Sequence, residues 1–142
     1  MAELDVRKPL PAITTEAKPF WDAAAQQKLM IQHCPNCQAW VWTPRPSCNE
    51  CGSENIQWTQ MSGKGEVYSF TVIRQVVGRA ASQAFEPDIP YVIAWVDLAE
   101  GPRLITNIIG CPVDEVKLGM KVAVQFEQAS EKVWLPKFKP AN

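Results

Sequence analysis

A single histidine, His33, is the only imidazole in the chain, so acid–base chemistry of the commonest kind has one residue to draw on. No apolar run approaches the roughly eighteen residues of a membrane-spanning helix, which excludes that class. Charge of one sign is also missing. Fourteen basic residues face fifteen acidic ones, and a net charge of -1 offers no global positive field to gather phosphate backbones. Met1 to Pro11 mixes acidic, basic and proline residues without the apolar stretch of a signal peptide, so a reducing cytoplasm is the expected compartment. What is present, 46% hydrophobic and 20% charged residues among 142, describes a globular protein. That length makes one domain of ordinary size or two small units sharing a core.

Cysteine is scarce and concentrated. Four of the five stand as two pairs, Cys34-Pro35-Asn36-Cys37 and Cys48-Asn49-Glu50-Cys51, with ten residues between the pairs. Two intervening residues let a tight knuckle aim both sulfurs at one point, and two knuckles complete a tetrahedron around one Zn²⁺. Four thiolates leave no position for water or substrate, so the zinc is expected to be structural, not catalytic. Iron on four thiolates or in a cluster, and a pair of reversible disulfides, are the alternatives. Pro44, Pro46 and Gly52 favour a compact turn between rigid half-sites. Cys111, the remaining thiol, follows Gly110 at the end of an apolar strand, where a buried, inert cysteine is the common case.

Periodicity divides the chain into residues 1–32 (arm and helix), 33–60 (zinc ribbon) and 61–142 (barrel). Pro19 opens a helix reaching Lys28, and the arm before it is either a frayed end or a strap that orders against a partner. Leu29 and Ile31 alternate with Met30 and Gln32 into the first knuckle. Trp40 and Trp42 share one face of a short strand, to cover the knuckles or pack on a neighbour. Five strands follow, Gly65 to Ile73, Tyr91 to Leu98, Arg103 to Ile109, Lys121 to Gln128 and Val133 to Phe138, with a short helix at Pro112 to Val116. In the first, Val67, Ser69 and Thr71 alternate with Tyr68, Phe70 and Val72. Five antiparallel strands with a helical piece before the fourth read as an OB-fold, with an SH3-like barrel as the alternative. The fold class is therefore mainly β, with a helix and a ribbon ahead of the barrel.

Arg74 to Pro90 is too long for a hairpin loop. It mixes apolar anchors with cations, and Arg74, Arg79 and Phe85 are its candidate contacts with a partner or ligand. Between Gly63 and Asn142, nine basic residues (six Lys, three Arg) balance nine acidic ones. That neutrality weighs against single-stranded nucleic acid, the competing use of a ribbon joined to an OB barrel. Tyr68, Phe70, Trp95 and Trp134 could serve as stacking platforms for bases, yet at strand spacing such aromatics are more often core.

The order of several pieces carries more than any one of them: Pro19-Phe20-Trp21, the two knuckles, Pro44-Arg45-Pro46, the run Ser62 to Thr71, Gly101-Pro102-Arg103 and Leu118-Gly119-Met120. Here the chain resembles a family of small bacterial and archaeal proteins long catalogued as a domain of unknown function. Its members have an N-terminal helix, a rubredoxin-like zinc ribbon and a C-terminal OB-fold. The resemblance implies an accessory subunit for a thiolase-like or lipid-transfer-type enzyme, one that acts on acyl-CoA and itself supplies the catalytic cysteine and histidines. It also implies a CoA thioester as ligand of the complex. No motif of the family fixes the residues that touch CoA, so Arg74, Arg79 and Phe85 are acyl-CoA or partner contacts on loop length and chemistry alone. Gln38 departs from the glycine common after the first knuckle, making a positive φ there less comfortable.

Overall fold

The computed structural model describes residues 8–78 and 80–141. Helix α1 (Lys18–Ala25) carries proline in its first turn, where a missing N–H is of no consequence. It stops short of Lys28. Gln27 takes φ 64°, and the N–H groups of Gln27 and Lys28 turn back to the carbonyls of Ala24 and Ala23, each at 2.9 Å. Phe20 and Ala24, one turn apart, form its buried face.

Strands β1 (Met30–His33), β2 (Trp40–Val41) and β3 (Gln57–Gln60) form an antiparallel sheet in the order β2-β1-β3. Strand β3 has no counterpart among the strands expected from alternation, because Gln57, Thr59 and Gln60 are polar and only Trp58 marks it. Gln32 is the buried polar side chain among the described residues. Its amide donates to the Arg45 carbonyl at 2.9 Å and accepts the Arg45 N–H at 2.8 Å. The Pro44-Arg45-Pro46 segment is thus tied to β1 much as a neighbouring strand would be, and both ends of the buried amide are satisfied.

Strands β4 (Lys64–Ile73), β5 (Tyr91–Leu98), β6 (Arg103–Ile108), β7 (Lys121–Gln128) and β8 (Trp134–Pro140) close into a barrel ordered β4-β5-β6-β8-β7. All neighbours are antiparallel except β6 and β8, which meet in parallel at Ile108 and Phe138. This is the OB-fold. The expected short helix at Pro112 to Val116 is a single 3-10 turn, Val113–Glu115.

Strict alternation along β4 does not survive. The ladder with β5 shifts between Val67 and Ser69, so Tyr68 stands out at the bulge, 54% exposed. Val67, Phe70 and Val72 then all pack toward the core, because one extra residue moves everything after it to the other face. The bulge lets one strand bend between two neighbours: β4 pairs with β5 along its length and with β7 only at Lys64–Glu66.

One core joins all three parts. Phe20 and Ala24 of α1 and Leu29 and Ile31 of the ribbon sheet pack with Met61, Val67, Val96 and Phe138 of the barrel. Trp40 and Trp42 lie against this same cluster, and Phe20 meets Trp42 at 5.1 Å between ring centroids. Burying Phe20 contributes about 2–3 kcal/mol, which a ribbon of this size cannot find within itself.

Gly65 shows how close the strands come. A Cβ there would sit 2.8 Å from the Asp97 carbonyl oxygen and 2.7 Å from Val96 Cγ1. Backbone cannot step aside as a side chain tip can, so Gly65→Ala is expected to lower stability by about 1–3 kcal/mol. A urea unfolding curve checks this, and an unchanged midpoint would contradict it.

Candidate functional site

The two knuckles are built alike. In the first, the Gln38 N–H donates to the Cys34 carbonyl at 2.7 Å and the Cys34 N–H to Ala39 at 2.8 Å. In the second, Gly52 donates to Cys48 at 2.9 Å and Cys48 to Ser53 at 2.8 Å. The turn requires a positive φ at the residue after each second cysteine: Gly52 takes 78° without strain, and Gln38 takes 67°. Gln38 compensates through its side chain, whose Nε2 donates to the Pro35 carbonyl at 2.8 Å.

The knuckles bring Cys34, Cys37, Cys48 and Cys51 together, all four Sγ atoms within 4.8 Å of one another. Cys34 lies 3.6 Å from Cys51, and Cys37 lies 3.6 Å from Cys48. A tetrahedron with metal–sulfur bonds of about 2.3 Å has edges of about 3.8 Å, so four thiolates in this arrangement fit Zn²⁺. Local dipoles favour the thiolate. The Asn36 amide, at 3.4 Å, and the Ser53 N–H pull the Cys51 pKa down to about 6. N–H groups of Cys51 and Glu50 lower that of Cys48. At Cys37 the Ala39 N–H also pulls downward, but desolvation and the three neighbouring thiols outweigh it and push the pKa up to about 12. Binding a cation at the centre of the four draws all of them to the thiolate form, which the donors at Cys48 and Cys51 already favour.

His33 is not a ligand. It packs against Trp40 beside the knuckle, with ring centroids 4.6 Å apart and planes tilted by 53°. Cys111 is half-buried, and desolvation with the charge of Glu115 raises its pKa, which keeps the thiol protonated and a poor nucleophile. Arg74 is exposed and pairs with Asp114 at 3.4 Å. Phe85 is half-buried beneath the Lys8 ammonium at 5.6 Å, on the wall of a groove beside the barrel. Arg79 lies outside the described residues. The structure therefore gathers the four cysteines and leaves Arg74 and Phe85 apart from them.

Sequence reasoning missed the groove and an apolar outer face. In β5, Val92, Ala94, Val96 and Leu98 point inward, while Tyr91, Ile93 and Trp95 point outward. Trp95 and its cross-strand neighbour Ile105 are 44% and 59% exposed. Nearby, the Arg103 guanidinium lies 3.4 Å above the Tyr68 ring and pairs with Asp97 at 2.6 Å, which raises its pKa further. The available signal was the run YVIAWVDL, apolar on both faces of a strand that a barrel buries on only one.

These features define a class first: a ribbon with a closed tetrathiolate site, fused through one core to an OB barrel. Two family profiles match in tandem, "ChsH2, rubredoxin-like zinc ribbon domain" over residues 21–57 and "ChsH2, C-terminal OB-fold domain" over residues 58–127. The chain belongs to this ChsH2 (DUF35) family. A DUF35 domain-containing scaffold protein of Methanocaldococcus jannaschii is 33% identical over 99 residues, 69% of this chain and 67% of that protein. A probable enoyl-CoA hydratase alpha subunit of Thermomonospora curvata is 37% identical over 134 residues, 94% of this chain. Our chain spans only 40% of that subunit's length. Among solved structures, a chain of the Ltp2-ChsH2(DUF35) aldolase superposes with a TM-score of 0.80 at 35% identity, covering 94% of this chain and all of that one.

Cys48→Ser is expected to abolish metal retention, since three thiolates and a weak hydroxyl no longer close the tetrahedron. Elemental analysis of purified protein should find about one zinc per wild-type chain and almost none in the variant. Full metal content in the variant would overturn the assignment.

Proposed function

We propose that the chain is a non-catalytic accessory subunit that binds a thiolase-like or lipid-transfer-type enzyme and supports its assembly or its hold on acyl-CoA. The observation that carries this reading is the closed metal site. Cys34, Cys37, Cys48 and Cys51 are the zinc ligands in it, and they occupy every coordination position a catalytic zinc would leave open. Acyl-CoA chemistry needs a nucleophile with a base, whereas Cys111 is held protonated and His33 packs against Trp40 beside the knuckle. Chemistry then comes from the other polypeptide. Similarity to a component of a two-protein aldolase and to alpha subunits of hydratases supports the same reading. The zinc fixes the ribbon, the shared core transmits that rigidity to the barrel, and the exposed Tyr68, Trp95 and Ile105 supply contact surface of interface composition.

Exposed Tyr68 and Trp95 are what a single-stranded nucleic acid would stack on. The cations around them are already neutralised, Arg103 by Asp97 and Lys121 by Glu66, so the electrostatic part of such binding is missing.

Co-expression with a thiolase-like or lipid-transfer-type enzyme subunit from the same genome should yield one peak on size exclusion containing both. Acyl-CoA turnover should appear with that complex and not with this chain alone. Separate peaks, or turnover by the isolated chain, would defeat the proposal.

A further inference from the structure

Cys37 and Cys51 are the exposed members of the tetrathiolate, while Cys34 and Cys48 are buried. A reagent arriving from solvent therefore meets Cys37 or Cys51 first. The two are equivalent in the pattern, each being the second cysteine of its knuckle. Each sulfur also receives the N–H of the residue two places further on, Ala39 for Cys37 and Ser53 for Cys51. The equivalence ends at the third position of the knuckle. In Cys34-Pro35-Asn36-Cys37 that residue is Asn36, whose Nδ2 donates across the site to Cys51 Sγ at 3.4 Å. The Cys34 and Cys51 sulfurs lie 3.6 Å apart, so the first knuckle runs close beside Cys51. In Cys48-Asn49-Glu50-Cys51 the same position holds Glu50, a carboxylate with no proton to donate, which accepts from the Asn49 amide at 3.4 Å. The first knuckle thus reaches over to the second, and the second returns nothing from its own third position. A metal-bound thiolate attacks an electrophile through a sulfur lone pair. A donor aimed at the sulfur stabilises that lone pair and covers part of the approach to it.

We propose that Asn36 protects Cys51 in the metal-loaded site, and that Cys37 is in consequence the thiolate at which soft electrophiles modify the chain and open the site. Neither role needs a partner subunit. With an alkyl halide such as iodoacetamide, a sulfur lone pair forms the new C–S bond and iodide leaves with the C–I electron pair. The product is a neutral thioether, a much weaker ligand than the thiolate it replaces. Three thiolates then remain, and the hold on the metal falls.

The test treats the zinc-loaded full chain with substoichiometric iodoacetamide, a small neutral reagent on which surface charge exerts little pull, and follows each cysteine by peptide mass spectrometry. Cys37 should react at least about threefold faster than Cys51. Asn36→Ala, and Asn36→Asp, which keeps the shape and loses the donor, should each raise the Cys51 rate about threefold to tenfold and leave the Cys37 rate within about twofold. In the same variants loaded with cobalt(II), the sulfur-to-metal charge-transfer bands should move to lower energy, because a sulfur lone pair without its donor lies higher. Loss of packing alone leaves those bands in place. Cys51 reacting as fast as Cys37 in the wild-type chain overturns the proposal, and that result requires no variant to fold. A Cys51 rate unchanged by Asn36→Asp, in protein whose tetrahedral cobalt bands are intact, overturns it as well, as do charge-transfer bands that stay where they were.

Discussion

Four thiol groups held within a few ångströms of one another are an unstable arrangement on their own, and the ribbon depends on what resolves it. Asn36 and backbone donors stabilise Cys51 and Cys48 as thiolates, while desolvation and the neighbouring thiols disfavour the thiolate at Cys37. A divalent cation converts that conflict into four bonds. The two short knuckles then become fixed points, and the ribbon strands they join need little core of their own. Cys34, Val41 and Cys48, with Ala39 and Ile56, are all the apolar packing the ribbon keeps to itself.

The remaining apolar surface of the ribbon is spent on its neighbours. Leu29 and Ile31 face the same cluster as Phe20 of the helix and Met61 at the start of the barrel, and the Met61 N–H bonds the Leu29 carbonyl at 2.8 Å. Helix, ribbon and barrel therefore behave as one packed body. A rigid body suits the proposed accessory role, since flexible docking would cost ordering entropy at each encounter. The two surfaces offered differ in character. One is an open face around Trp95 and Tyr68, and the other is a concave groove between arm, loop and strands.

Much of this was legible in the residues. The CxxC pairs announced the metal site because two-residue spacing has few other uses, and the barrel strands β5 and β7 fell where alternation put them. The strained turn at Gln38 was legible too, as the absence of a glycine. Three things were not. The bulge at Tyr68 reverses the facing of β4, and pattern alone cannot see an inserted residue. Strand β3 is held by its pairing with β1, from Met30 with Gln60 to His33 with Gln57, so its polar sequence carries no signal of its own. The groove draws its lining from the arm, the loop and several strands that are distant in sequence, so it exists only after folding.

Substituting cobalt(II) for the metal tests the central claim most directly, because its visible spectrum reports the coordination shell itself. A closed tetrathiolate predicts intense tetrahedral ligand-field bands that do not move when azide or an acyl thioester is added. A spectrum that shifts with either ligand would reveal an open coordination position, and the account of a purely structural metal would be wrong.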